Sequence, residues 1–265
     1  MKNYDFNDLV QAYSKLGVTE GRIVYVIADV WEVRGYDRPG SRNLIEAHVE
    51  ALQSLIGQTG TLVVSTASMN LCNTEIAFDP TQTPSFQRGA LSEHVRQLDG
   101  ALRSFHPFNS YAAIGAQAEE LVANVSKGAW GSHTPEARMV ELDALTVCLG
   151  VTPHLSTTVH LIEQHIGVPY RYNKEFLHPV LRNGTVSRES FYLLVVYKDC
   201  GLTRDGNRKL VSYLSDLMEF RETTLGRRTI YSYDNRDFYT QGLKAFTEDI
   251  YIWCDTPPTD RPYRE

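Results

Sequence analysis

Short apolar runs bounded by turn-forming residues recur along the chain. Each run is rich in β-branched and aromatic residues and is too short for a typical helix, which predicts buried strands. The clearest runs are residues 22–30, 61–65, 145–151 and 191–197. Weaker runs of the same kind predict further strands at residues 110–114 and 227–233.

Apolar positions at helical spacing fill much of the chain between these runs. They predict helices over residues 7–15, 42–56, 89–96, 119–125, 157–165, 209–220 and 237–251. The first strong strand, the helix at 42–56 and the next strand form a β-α-β unit, so the two strands are expected to pair in parallel through a right-handed crossover.

Three segments lack a regular pattern. Residues 67–85 are irregular, and a segment of that length in a compact domain is usually functional or disordered. Residues 199–206 are expected to form a polar turn, and the tail at 254–265 is expected to be loose. We therefore expect one α/β domain over residues 1–265, with a central, mostly parallel or mixed sheet flanked by helices.

Composition and charge exclude several classes of protein. Hydrophobic residues at 42% and charged residues at 22% are typical of a globular domain with a sizeable core. The net charge of -6 argues against a nucleic-acid partner, because binding phosphates needs a basic surface. Four scattered cysteines without a Cys-x-x-Cys pair fit reduced thiols, and no stretch reads as a signal peptide or a membrane span. We expect a cytoplasmic protein with no membrane contact.

The best candidate for chemistry follows the strand at residues 145–151. A turn rich in Ser and Thr leads into the helix at 157–165, which Ser156 or Thr157 could cap. His160 and Glu163 are three residues apart, so a helix places them on one face. A base beside a carboxylate, at the C-terminal end of a buried strand, predicts an active site.

Two other chemistries find less support. His154, His160, Glu163 and His165 lie close in sequence, but their spacing matches neither zinc-protease helix motif, and His160 and His165 diverge on a helix. No metal site is therefore expected. No glycine-rich phosphate loop of either common type is present, which argues against nucleotide hydrolysis and hydride transfer.

Several motifs together resemble the aminoglycoside 3-N-acetyltransferase family, the antibiotic N-acetyltransferases. The opening strand-helix-strand is carried by LGVTEGRIVYV and GQTGTLVV. A long middle signature follows in AFDPTQTPSFQRGALSEHVRQLDGALRSFHPFNSYAAIG. The strand and helix of the family's catalytic histidine are matched by GSHTPEARMVELDALTVCLGV and TTVHLIE.

The resemblance implies the antibiotic N-acetyltransferase fold and an acetyl-CoA-dependent acyltransferase, with acetyl-CoA as cosubstrate and an amino group of an aminosugar as acceptor. It places the general base at His160 and its acidic partner at Glu163. The acceptor would be an aminoglycoside, as in antibiotic resistance, or a cell-surface or biosynthetic aminosugar. The expected partners are this small molecule and, as an open possibility, a second copy of the chain in a homodimer.

Other candidate residues come from the chemistry that acyl transfer needs. Thr157 is a third catalytic candidate, since its hydroxyl could serve the oxyanion. Contact with the cofactor is expected from Ser104, His106 and Ser110, although a structural role is an equal alternative for His106 and a turn-forming role for the two serines.

Asp29 and Asp79 are the candidates for substrate binding. Asp79 could instead form an Asx-turn, and Asp29 ends a segment, Ile27-Ala28-Asp29, where the family shows His-Ser-Ser. That departure leaves a second hypothesis: a catalytically altered family member that serves as a binding or assembly protein.

Overall fold

The computed structural model describes residues 3–37, 43–198, 200–204 and 209–260. Its strands are β1 (Ile23–Ala28), β2 (Thr61–Ser65), β3 (Leu102–Arg103), β4 (Tyr111–Gly115), β5 (Leu145–Leu149), β6 (Arg171–Arg182), β7 (Thr185–Val196), β8 (Arg221–Leu225) and β9 (Arg228–Asp234). Seven of them form one sheet in the order β3-β4-β2-β1-β5-β9-β8, and β6 pairs with β7 in a separate two-stranded ribbon.

The centre of the large sheet is parallel and its margins are antiparallel. β1 pairs in parallel with β2 on one side and with β5 on the other. β4 runs antiparallel to β2, and β9 runs antiparallel to β5. The predicted parallel β-α-β opening and the mixed α/β sheet are therefore confirmed, and the carboxyl ends of β1, β2 and β5 meet at one edge of the sheet.

The helices are α1 (Phe6–Lys15), α2 (Leu44–Ile56), α3 (Ala90–Arg96), α4 (Ala118–Val122), α5 (Pro135–Glu141), α6 (Thr158–Ile166), α7 (Lys209–Ser215) and α8 (Asn235–Glu248). Local sequence fixes several of their first turns. Asn43 and Glu46 form a reciprocal capping box at α2, and Thr134 caps α5 with Pro135 at its first position. Such caps satisfy backbone N–H groups that have no partner within the helix.

Alternating residues of β1 face two different cores, so helices cover both faces of the sheet. Val24 and Val26 pack on one face with residues of α1 and α2. Ile23 and Tyr25 pack on the opposite face with residues of α4 and α5, including Met139. The near-continuous apolar run of β1 is explained by this burial on both sides.

The β6–β7 ribbon covers the irregular segment at residues 67–85. Phe78 pairs with Val180 of β6 through a bridge, and its N–H donates to the carbonyl of Pro179 at 2.9 Å. Phe78, Phe108 and Phe191 form a buried apolar cluster beneath the ribbon. The segment that lacks a regular pattern is therefore held in place by aromatic side chains.

Most predicted elements are present, and four were missed: β3, α5, β6 and β8. Polar residues dominate the outer half of β6, since a two-stranded ribbon exposes much of its surface. The predicted helix at 209–220 ends early, at Ser215. Arg42 of the predicted second helix, residues 199, 205 and 206 of the predicted turn and residues 261–265 of the tail lie outside the described residues.

The expectation of a loose tail is wrong for residues 254–260. Cys254 is buried, and Thr256 forms a bridge with Thr203. The N–H of Thr259 donates to the carbonyl of Cys200 at 2.8 Å. None of the helices in the described ranges is both apolar enough and long enough to span a bilayer.

Candidate active site

His160 and Glu163 lie side by side on α6, which follows strand β5, the neighbour of the central strand β1. Nδ1 of His160 is 2.7 Å from Oε2 of Glu163. The side chain of Glu163 is fully buried, whereas 27% of the His160 side chain is exposed. The i, i+3 spacing therefore produces the predicted pair, with only the imidazole accessible from outside.

Both oxygens of the Glu163 carboxylate are held. Tyr170 donates its hydroxyl to Oε1 at 2.9 Å, and Nε of Arg171 lies 2.8 Å from Oε2 as an ion pair. That Nε has no hydrogen-bond partner of good geometry, so the Arg171 contact is mainly one of charge. Burial alone would raise the pKa of Glu163, but the hydrogen bond and charge of His160, together with Arg171, outweigh burial and lower it.

The same contacts set the state of the imidazole. Burial lowers the pKa of His160, and Arg171 lowers it further, although Glu163 acts to raise it. His160 is therefore neutral at pH 7. Because an ionised carboxylate only accepts hydrogen bonds, Glu163 assigns the imidazole proton to Nδ1 and leaves the lone pair on Nε2.

His160 lines a cavity of about 220 Å³ beside α6. Trp130 packs against the imidazole with ring centroids 5.1 Å apart. Part of β7 supplies an apolar wall to the same cavity. The lining residues are Ser65, Met69, Arg88, Asn109, Ala129, Trp130, Thr157, His160, Arg171, Leu193, Leu194 and Val195. This volume is below the roughly 300–1,000 Å³ typical of drug-sized ligands, so the cavity suits one ring or the reacting end of a ligand.

Thr157 also lines this cavity, but its side chain makes no cap bond to α6. Its hydroxyl donates to Oε1 of Glu136 at 3.2 Å and lies 3.2 Å from the hydroxyl of Tyr25. The prediction that Thr157 or Ser156 caps the helix through its side chain is therefore not met. The hydroxyl of Thr157 is instead fixed in the cavity wall.

Glu136 is a buried carboxylate that sequence analysis missed. It accepts from Tyr111 at 2.7 Å and from Thr158 at 2.8 Å, in addition to Thr157. Burial raises its pKa, against the effect of these three hydrogen bonds. The capped start of α5, with Thr134 and Pro135, was the available signal for the helix, but nothing local marks Glu136 as facing inward.

The three cofactor candidates lie elsewhere and have internal partners. Ser104 accepts from the N–H of Tyr111 at 2.9 Å, and His106 accepts through Nδ1 from the N–H of Asn109 at 3.0 Å. Ser110 donates to the carbonyl of Thr66 at 3.0 Å. All three are buried, and none is among the residues that line the cavity. Burial also lowers the pKa of His106 to about 4.

This geometry gives Ser104, His106 and Ser110 structural roles in the turn between β3 and β4. Their hydrogen bonds satisfy backbone groups that would otherwise be buried without partners. The prediction that they contact the cofactor finds no support in these contacts.

The two substrate candidates also have local partners. Asp29 is exposed, and its Oδ1 accepts from the N–H of Trp31 at 3.1 Å. Asp79 accepts from the N–H of Thr81 at 2.8 Å, which is the Asx-turn that its sequence position left open. Neither lines the cavity beside His160.

A larger cavity of about 480 Å³ lies along the adjacent face of α6. Leu161, Gln164 and His165 contribute to it, and His165 contacts Tyr239 at 2.6 Å. None of its described lining residues is a base with a buried carboxylate partner, whereas the smaller cavity has His160 with Glu163 behind it. Within the described residues, no group of three or more His, Cys, Asp and Glu side chains could hold a metal ion.

This chain is similar in sequence and in fold to several aminoglycoside acetyltransferases. Aminoglycoside N(3)-acetyltransferase IV of Salmonella sp is 34% identical over 165 residues, which span 62% of this chain and 60% of that protein. The fold matches a mutant of aminoglycoside acetyltransferase AAC(3)-IVa in complex with apramycin, with a TM-score of 0.76 and 25% identity over 95% of this chain and 96% of that one. It also matches AAC-IIIb bound to CoASH, with a TM-score of 0.78 over 96% of this chain and 99% of that one. Identity in that pair is 20%, which supports the fold alone.

The family described as aminoglycoside 3-N-acetyltransferase matches residues 39–247, most of the chain, and these residues include β2, β5 and α6. The chain therefore belongs to the aminoglycoside 3-N-acetyltransferase family, which confirms the resemblance carried by its motifs.

Proposed function

We propose that this chain transfers an acetyl group from acetyl-CoA to an amino group of an aminosugar, with His160 as general base. The observation that carries the proposal is the 2.7 Å contact between His160 and the fully buried Glu163, at the wall of a cavity. A neutral, oriented imidazole is the group that this reaction needs from a protein.

The chemistry assigns each proton and bond. An ammonium is not a nucleophile, so Nε2 of His160 takes a proton from the acceptor amine. The amine nitrogen then attacks the thioester carbonyl, the new C–N bond forms and the C–S bond breaks. The proton held by His160 passes to the departing sulfur, which leaves as the thiol of coenzyme A. The nitrogen, which is positively charged after its attack, releases its remaining extra proton to water and becomes the neutral amide, so the reaction frees one proton overall.

Glu163 acts on this reaction through His160. Its carboxylate stabilises the imidazolium that forms when Nε2 takes the proton, and it keeps the ring in one tautomer. Thr157 is the third residue that we assign to the reaction, as part of the cavity wall. Its single O–H donates to Glu136, so it serves the oxyanion only if that hydroxyl rotates away from Glu136. Holding the base and the acceptor in one geometry lowers the entropic part of the barrier.

The apramycin complex supports an aminosugar acceptor without deciding which one, and the CoASH complex shows only that a protein of the same fold holds coenzyme A. One neighbour is a complex with apramycin and another is a complex with CoASH. The competing hypothesis is a binding or assembly protein, motivated by Ile27-Ala28-Asp29 at the end of β1. The buried partners of Glu163 favour the enzyme, because they hold a carboxylate whose function is to support a base.

The test is acetyl transfer by the wild-type protein and by His160→Asn. Acceptors are aminoglycosides and free aminosugars; thiol release gives the rate, and mass spectrometry locates the acetyl group. We expect an N-acetyl product, with a loss of roughly 10²–10⁴ in kcat for His160→Asn and an unchanged melting temperature. A folded variant that keeps a third of the wild-type rate would remove His160 as the base. Absence of transfer to any acceptor, with coenzyme A still raising the melting temperature, would favour the binding protein.

A further inference from the structure

The cavity beside His160 has an unusual balance of charge for a site that binds amines. Its lining includes two arginines, Arg88 and Arg171, and none of the described lining residues is Asp or Glu. Glu163 lies behind the imidazole and is fully buried. A polycationic ligand entering this cavity would meet guanidinium groups with no exposed carboxylate to offset them.

The two arginines differ in how their charge is compensated. Arg171 is paired with Glu163 and also donates to the carbonyl of Leu194 at 3.1 Å. The Nε of Arg88 is buried and has no hydrogen-bond partner among the described residues. That Nε is shielded from the cavity, but Arg88 as a whole is half-buried and lines the cavity. No carboxylate of the described residues forms an ion pair with it, so an anionic group on a ligand would be its counter-charge.

The backbone holds Arg88 near the reacting centre. Gly89, the next residue, has a φ of +85°, and a Cβ there would lie 3.0 Å from the carbonyl oxygen of Ala28. This close approach keeps Arg88 at the carboxyl end of β1. The charge of Arg88 also reaches Tyr25, where it acts against the rise in pKa that burial causes.

We propose that the acceptor carries an acidic group, a carboxylate or a phosphate, that binds Arg88 while its amine lies at His160. The inference rests on the proposed acetyl transfer and narrows its acceptor to an acidic aminosugar. Guanidinium groups bind both anions through paired N–H donors, which makes arginine the residue suited to this contact. An aminoglycoside, with several ammonium groups and no acid, lacks the feature that Arg88 would bind.

The test compares acceptors that differ only in the acid. Glucosamine, its 1-phosphate, its 6-phosphate, 2-amino-2-deoxyglucuronic acid and gentamicin are assayed with acetyl-CoA. We expect kcat/KM for at least one acidic acceptor to exceed that for glucosamine at least about tenfold, because a charged hydrogen bond contributes roughly 1.5–3 kcal/mol. A wild-type protein that uses gentamicin or glucosamine better than every acidic acceptor would overturn the proposal.

Variants of Arg88 test whether this residue causes the preference for acidic acceptors. Arg88→Met should lower kcat/KM for the preferred acidic acceptor about ten- to hundredfold and that for glucosamine less than about threefold. Arg88→Lys, which keeps the charge, should retain part of the preference. Lys244→Gln removes an exposed positive charge on α8 and should change neither value. An acid preference that survives in folded Arg88→Met would contradict the assignment.

Coenzyme A is itself an anion, so its binding is measured separately. We expect the KM for acetyl-CoA to be unchanged in Arg88→Met. If that KM rises and the loss is equal for glucosamine and the acidic acceptors, Arg88 binds the phosphates of coenzyme A and the acceptor proposal fails.

Melting temperatures without acetyl-CoA separate this inference from the proposed reaction. The preferred acidic aminosugar should raise the melting temperature of the wild type more than glucosamine does, and this difference should vanish in Arg88→Met. If this difference in melting temperature is observed but no acetyl transfer is detected, the acid-binding site is supported and the proposed acetyl transfer is contradicted. Acetyl transfer with no preference for acidic acceptors would instead support the acetyltransferase and remove the acid site at Arg88.

Discussion

The hydroxyl of Tyr170 donates a 2.9 Å hydrogen bond to Oε1 of Glu163, the carboxylate oxygen that His160 does not contact. The carboxylate is thus held from two directions, since Oε2 contacts His160 and Arg171. A carboxylate fixed at both oxygens cannot rotate, and the imidazole bonded to it keeps one orientation. Arg171, which begins β6, closes this arrangement from the ribbon.

Tyr170→Phe tests whether this support matters for the rate. We expect kcat to fall about three- to tenfold and KM for the acceptor to change little, because the loss acts through Glu163 rather than on the ligand. Leaving Oε1 buried without a donor should also lower the unfolding free energy by about 1–3 kcal/mol. Tyr172→Phe is the matched control, since Tyr172 is 39% exposed on the same strand region and does not contact Glu163. A Tyr170→Phe protein with wild-type kcat would show that Glu163 needs no support from this hydroxyl.

The pH dependence of the rate follows from the state of His160. Burial holds its pKa below 6.5, so the base is neutral above that pH and is lost as the pH falls through its folded pKa. Glu163 acts to raise that pKa, so Glu163→Gln should move the acid limb of kcat/KM to lower pH while kcat falls at least roughly tenfold.

Wild type and Glu163→Gln are measured with the same acceptor. Because the acceptor amine titrates identically in both assays, any difference between the two pH profiles comes from a group on the protein. Glu141→Gln is the control, since Glu141 lines the larger cavity and not the one beside His160. An acid limb that is the same in Glu163→Gln and wild type would mean that His160 is not the group that titrates.

The location of His160 could be predicted from sequence because every signal for it is local. The apolar run of β5, the turn and the i, i+3 spacing place His160 and Glu163 together without any tertiary knowledge. Arg88 and Glu136 could not be predicted in this way. Their importance depends on burial among residues from distant parts of the chain, such as the contact of Glu136 with Tyr111.

Ser104, His106, Ser110 and Asp79 do not line the cavity beside His160, and the reason is related. Ser104, His106 and Ser110 lie in one polar stretch, and the sequence could not say whether their polar atoms serve a ligand or the backbone. In the structure the surrounding turn has buried N–H and carbonyl groups to satisfy, and these side chains satisfy them. Asp79 was open to both interpretations, and its Asx-turn contacts use the carboxylate locally.

Glu136→Gln tests the buried carboxylate beneath Thr157. Burial raises the pKa of Glu136, so its contribution favours folding at low pH and is lost as the pH rises through that pKa. The unfolding free energy of Glu136→Gln relative to wild type should therefore increase as the pH rises from 4 to 8. Denaturant titrations at each pH measure it, with Glu120→Gln on the exposed face of α4 as control. A difference that stays constant over this range would show that Glu136 is ionised with its usual pKa.

Gly150, which follows β5, lies against the loop that follows β1. Its substitution tests how closely these two loops must pack. Its φ is +71°, and a Cβ there would lie 2.2 Å from the carbonyl oxygen of Asp29 and 2.9 Å from Cβ of Glu32. Gly167, at the end of α6, has the same φ of +71° with no heavy atom within 4 Å of an added Cβ. Substituting Gly167 therefore measures the free-energy cost of a left-handed backbone alone, and substituting Gly150 measures that cost together with the cost of a steric clash.

Gly167→Ala should lower the unfolding free energy by about 1–2 kcal/mol, the usual cost of a left-handed backbone for an L-residue. Gly150→Ala has the same backbone cost and must also push the loop after β1 away from β5, where the N–H of Asp29 donates to the carbonyl of Leu149 at 2.8 Å. Overpacking adds about 1–3 kcal/mol, and in a domain of this size each kcal/mol lowers the melting temperature by roughly 2–4 °C. We therefore expect Gly150→Ala to melt several degrees below Gly167→Ala and to lose activity at temperatures where both are folded. Equal melting temperatures for the two variants would mean that the loops after β1 and β5 separate at little cost.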